Sequence, residues 1–201
     1  MVAVLSGACS GFSNLSHDVG GYLGHSLVER CPPELLVRWL QFGCFAPLMQ
    51  AHARMLQELW HYGERVLDLY RVYVLLHEQP VPYVRAAAAT AARTGVPIIR
   101  PLCLIDPSDP RVWSITDAYG HGPSLWVAPV LDEGAREREV ALPRGRWIET
   151  WSRSEIAGGR ELTVPAPLGR IPVRLADGTR IGWRRGRWRV DAEREVEFVE
   201  R

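Results

Sequence analysis

The feature that most constrains this fold is a change of period near residue 96. Before it, ERVLDLYRVYVLLHE (64–78) repeats apolar positions at Leu67, Tyr70, Val74 and His77 or Glu78, which predicts a helix. QPVP breaks that pattern, and Pro82 opens a second helix through the Ala-rich YVRAAAATAARTG. Gly95 is placed to cap it, with Pro97 just beyond. After that point come short apolar segments: VPIIRPLCL, SLWVAPVL, REREVALP, RWIETWS, RELTVP and RIPVRL, separated by turns such as IDPSDPR. Helices followed by a run of strands predict a helical half and an all-β half.

Upstream, residues 2–16 begin apolar and then turn to Gly and Ser. They predict a buried strand running into a loop that carries HDVGGY (17–22). Cys31-Pro32-Pro33 forms a turn, and Pro33 suits the first residue of a helix through ELLVRWLQFGCF. Leu36, Trp39, Leu40 and Gly43 share one face of that helix, and Pro47 stops it. PLMQAHARM then reads as a strand emptying into a loop. The tail RIGWRRGRWRV reads as a hairpin: Ile181 and Trp183 alternate with polar residues, Arg185-Gly186 makes the turn, and Trp188 and Val190 alternate on the return.

The chain has 201 residues, enough for one large or two small domains with a real core. A net charge of +1 argues against a nucleic-acid partner or a membrane surface. The basic tail is followed at once by Asp191, Glu193, Glu195 and Glu197, which cancel its charge. Cys9, Cys31, Cys44 and Cys103 form no CxxC pair and have no His at ligand spacing. That pattern predicts reduced core cysteines, with no metal and no cofactor. No run is long enough to span a membrane, and the N-terminus lacks the basic n-region of a signal peptide, so a cytoplasmic location is expected. The 8 Trp residues can fill a core or bind flat ligands such as sugars.

The candidate chemistry sits in HDVGGY. Asp18 can be an ionised acceptor that grips ligand hydroxyls, or a loop residue bonding its own backbone beside Gly20-Gly21. His52 can be a ligand contact or a satisfied, half-buried histidine. His17 flanks the loop, and His121 in YGHGPS reads as a turn residue. Glu29, Glu34, Glu58 and Glu64 lie on or beside helices, while Asp106 and Asp109 sit in a Pro-rich turn where Asp caps are common. No second carboxylate stands out as a partner for Asp18.

The order of motifs SGFSNLSHDVGGY, ELLVRWLQFGCFAPLMQAH, RVYVLLHEQPVPYVRAAAATAARTGVPIIRPL, DPSDPR and YGHGPSLWVAPVLDEGAREREVALPRGRWIETWS resembles the C-terminal part of glycoside hydrolase family 31, over about residues 5–173. The resemblance implies an α/β plus all-β chain: the C-terminal remnant of a (β/α)8 TIM barrel followed by a β-sandwich. The implied divisions are 1–95 for the barrel part, 96–175 for the sandwich and 176–201 for a variable hairpin tail. It also implies that Asp18 and His52 are substrate-binding, at the ends of two late barrel strands, and that Trp39 and Phe45 support the helix and pocket wall. The substrate class would be an α-linked oligosaccharide or glycoside, as for an α-glucosidase or α-xylosidase. The pattern departs at Val19, Gln50, Ala53 and Tyr22, where the family usually carries Ile, Arg, Gly and Phe.

In that family the nucleophile sits in a segment like W-x-D-x-N-E and the acid/base in one like W-x-G-D, both preceding HDVGG. Neither occurs in these 201 residues. Retaining glycoside hydrolysis needs two carboxyls about 5 Å apart, and a full barrel takes about 250 residues. The resemblance therefore implies a fragment without catalytic residues, inactive alone, whose partner is the missing N-terminal part of the same enzyme. A non-catalytic carbohydrate-binding or interaction module built on the β-sandwich is the alternative.

Overall fold

A computed structural model describes residues 1–24 and 28–179, together with the backbone strands 182–184, 187–191 and 195–197. The chain opens on helix α1 (Val2–Cys9), not on the expected buried strand. A short apolar run has no period that separates strand from helix, and here tertiary contact decides. Leu5 and Ala8, three residues apart, face the core. The helix closes with Phe12 N–H donating to Gly7 O at 3.0 Å and Gly11 N–H to Ala8 O at 3.2 Å, the paired bonds of a Schellman end.

Helix α2 (Pro33–Cys44) starts on Pro33 as expected, with Glu34 in its first turn. Leu36, Val37, Leu40 and Phe42 are buried. A Cβ on Gly43 would lie 2.8 Å from Val19 Cγ2, so the absence of a side chain lets α2 lie against the HDVGG segment. The segment after α2 forms no strand: Gln50 makes one isolated parallel bridge to Asp18. With one paired neighbour, PLMQAH has nothing to extend a ladder.

Helices α3 (Glu64–Glu78) and α4 (Val81–Thr94) fall where the sequence pattern put them, and Gly95 ends α4 in the left-handed region at φ 77°. The buried face of α3 runs through Val66, Tyr73 and Leu76, rotated by about one residue from the expected markers. Strand β1 (Ile99–Pro101) is shorter than VPIIRPLCL suggested, because Leu102–Ile105 turn into the one-turn helix α5.

Strands β2 (Tyr119–His121), β3 (Leu125–Val127), β4 (Glu137–Leu142), β5 (Arg146–Glu149), β6 (Glu155–Ala157), β7 (Arg160–Pro165) and β8 (Val173–Ala176) follow. They form a six-stranded sheet in the order β1-β2-β3-β8-β5-β6 and a separate β4–β7 ladder, all pairs antiparallel. Both faces of the sheet are covered. Leu125, Val127, Val173 and Leu175 pack with Leu36, Leu40 and Tyr73 of the helices. Trp126 and Trp147 point the other way, onto Val140, Leu142 and Val164 of the β4–β7 ladder. These two Trp residues are therefore core.

His121 is a correction: it ends β2 and is buried, and the turn lies one residue later. There Tyr83 Oη donates to His121 O at 2.7 Å and accepts from Ser124 N–H at 2.9 Å. In the tail, strands β9 (Gly182–Arg184), β10 (Arg187–Asp191) and β11 (Glu195–Glu197) pair antiparallel, with Trp183 opposite Trp188. Ile181 and the expected turn Arg185-Gly186 lie outside the described residues. No closed barrel forms among the described residues, and none of their helices is long and apolar enough to cross a membrane.

Candidate functional site

Two segments 32 residues apart in sequence run side by side at the site. Val19 N–H donates to Gln50 O at 2.9 Å, beside the parallel Asp18–Gln50 bridge. Parallel neighbours need a crossover, and α2 supplies it. Further along, Arg54 N–H donates to Tyr22 O at 2.9 Å and Gln57 Nε2 to Gly21 O at 2.6 Å. Gly20 and Gly21 have φ of 85° and 89°, and Gly21 N–H closes the turn onto Asp18 O at 2.9 Å. This turn uses the backbone carbonyl of Asp18.

Its side chain does something else. Asp18 Oδ1 accepts from the Gln50 Nε2 amide and lies 3.9 Å from His52 Nδ1. The Asp18 side chain is 27% exposed and that of His52 63%, so His52 is more open than the half-buried alternative describes. The Tyr22 ring meets the His52 ring edge-on at 5.1 Å. A carboxylate, an imidazole and a phenol thus converge at an open site, a set suited to hydrogen-bonding a polyhydroxylated ligand. Gln50 is the residue that sequence reasoning missed; its only signal was an amide where the resembled family carries Arg.

His17 points away from this opening. Trp39 Nε1 donates to His17 Nδ1 at 2.9 Å, and the imidazole stacks on Phe42 at 4.2 Å. Burial lowers its pKa to about 4; the chain's amino terminus adds to this and Asp18 opposes it. His17 is therefore a neutral support for the segment bearing Asp18. Phe45 is a core residue whose carbonyl accepts from Tyr119 Oη at 2.9 Å.

The other acidic candidates are engaged elsewhere. Glu34 pairs with Arg136 at 2.6 Å. Asp106 binds Arg144, whose guanidinium holds the carboxyl well below its ordinary range. Asp109 caps the 3-10 turn Pro110–Ser114 and pairs with Arg111. Among the described residues no group of His, Cys, Asp and Glu could hold a metal ion. A mostly apolar cleft of about 550 Å³ lies between α1, α2 and residues 129–133, but neither Asp18 nor His52 lines it.

Residues 1–87 match the glycosyl hydrolases family 31 TIM-barrel domain, and residues 95–181 match the glycosyl hydrolase family 31 C-terminal domain. The chain belongs to glycosyl hydrolase family 31. The match runs to residue 181, past Val173, where the sequence resemblance fades. A sulfoquinovosidase from Agrobacterium fabrum is 35% identical over 86% of this chain and 27% of its own length. Alpha-glucosidase 2 from Bacillus thermoamyloliquefaciens is 29% identical over 86% of this chain and 22% of its own length. The chain thus spans about a quarter of the curated family 31 relatives it matches. Among solved structures, a family 31 alpha-xylosidase from a soil metagenome, complexed with xylose, aligns with a TM-score of 0.81 and 32% identity. That alignment covers 87% of this chain and 29% of that one. A Flavobacterium johnsoniae family 31 dextranase complexed with glucose gives 0.81 and 33%, over 94% of this chain and 23% of that one. The family 31 architecture here is the tail of the barrel followed by the C-terminal sheet domain.

Proposed function

We propose that this chain is the sugar-holding C-terminal part of a retaining family 31 α-glycosidase, with residues 1–95 as barrel, 96–175 as sandwich and 176–201 as tail. Asp18 and His52 would hold hydroxyls of the terminal sugar of an α-linked glycoside. The observation that carries the reading is the 3.9 Å approach of Asp18 Oδ1 and His52 Nδ1 from two parallel neighbouring segments. The substrate class is that of the relatives: α-glucosides, α-xylosides or sulfoquinovosides. Among the described residues no carboxylate pairs with Asp18, and the segments that would carry nucleophile and acid/base are not among these 201 residues. The chain alone is therefore expected not to hydrolyse glycosides, and its partner would be a polypeptide supplying those carboxylates.

Incubation of the purified chain with p-nitrophenyl α-glucoside and α-xyloside tests this. No turnover above a denatured control is expected, and turnover would refute the assignment. The alternative of a stand-alone sugar-binding sandwich is weakened by the burial of Trp126 and Trp147, which removes two aromatic platforms from its surface.

A further inference from the structure

We propose that Gln50 is a positioning residue for Asp18 and determines how strongly the site discriminates for the sugar hydroxyl that faces that carboxylate. This rests on the reading of Asp18 as a sugar-holding group. The Gln50 amide is the one side-chain hydrogen bond to Asp18 among the described residues, and it engages Oδ1 alone. The His52 ring, 3.9 Å from the same oxygen, is beyond hydrogen-bond distance. Asp18 Oδ2 is left without a protein donor among the described residues.

The backbone bridge fixes the two residues side by side, so the amide has only to set the rotation of the carboxylate. A neutral amide does this without cancelling the charge. An arginine at position 50 would bring a full positive charge and a planar fork able to take both oxygens. With Gln, one oxygen is held and the other keeps its lone pairs and its charge for a ligand hydroxyl. Hydrogen bonds to ionised groups are the strong ones, so a ligand lacking that hydroxyl should bind about tenfold more weakly.

The test is isothermal titration of the 201-residue chain with methyl α-D-glucopyranoside and its four monodeoxy analogues. Wild type is expected to bind at least one analogue about tenfold more weakly than the parent. Gln50→Leu is expected to weaken the parent about tenfold and leave that analogue unchanged, which erases the discrimination. Gln50→Glu, which keeps the length but loses the donor, is expected to do the same, with near-ultraviolet circular dichroism unchanged in both. Equal weakening of every ligand marks a merely structural role and overturns the proposal. Asp18→Ala separates the two claims. If it keeps the discrimination, the sugar-holding reading of Asp18 fails. If it loses the discrimination while Gln50→Leu keeps it, the positioning role of Gln50 fails. A wild type that binds none of the sugars overturns both.

Discussion

The indole of Trp39 donates to His17 Nδ1 at 2.9 Å, and that imidazole lies on Phe42 with the ring planes 8° apart. The two α2 residues thus fix the residue immediately before Asp18. The arrangement needs a neutral His17, since a protonated Nδ1 cannot accept the indole hydrogen.

A pH dependence of stability follows. Burial lowers the folded-state pKa of His17 to about 4, while the unfolded chain titrates near 6.5. Between those values the unfolded state binds more protons, so stability is full above about pH 6.5 and falls as pH drops towards 4. Buried His121, held near 3, adds a second loss over the same range. The His17 contribution is about 2 kcal/mol after allowance for its partial exposure. Urea titrations at pH 7 and pH 4.5 should show a smaller difference for His17→Asn than for wild type. An unchanged difference would remove His17 from the account.

Gly43 and Val19 form a second pair. A Cβ on residue 43 would stand 2.8 Å from Val19 Cγ2, inside any real contact. Gly43→Ala should cost about 1–3 kcal/mol by overpacking. Adding Val19→Ala should recover part of that loss, giving a non-additive double-mutant cycle. Additive losses would mean that the two residues do not meet.

Arg38 ties the helices to the β half. Its buried guanidinium donates to Ala135 O and Ala166 O at 2.8 Å each, and to Pro167 O at 3.3 Å. Arg38→Met should leave these carbonyls without their donor and cost about 3 kcal/mol. Hydrogen exchange should rise first in residues 129–136 and 166–170. Faster exchange confined to α4 would contradict the linkage.

Local signals placed α2, α3, α4 and their ends, because Pro33, QPVP and Gly95 act on their own backbone. Six of the strand segments after residue 96 were also legible as short apolar runs between turns, whereas β2 and β6 were not. What failed depended on partners distant in sequence. Val2–Cys9 is helical because Leu5 and Ala8 share a buried face, and nothing in the run itself excludes a strand. Residues 46–52 stay irregular because they have one bridged neighbour. His121 looked like a turn residue because Gly122 and Pro123 follow it, yet it is the last position of a buried strand. At the site, the family resemblance singled out Asp18 and His52, and marked Gln50 only as a departure from the family's usual Arg. Gln50 reaches Asp18 across the bridge, and contacts between segments distant in sequence leave no trace in spacing.

The central claim is that Asp18 holds a sugar in a chain that does not cleave it. The most direct measurement is isothermal titration of wild type and Asp18→Ala with methyl α-D-glucopyranoside. Saturable binding by wild type, at least about tenfold weaker in Asp18→Ala, is the predicted result. Equal affinities in the two proteins would contradict it.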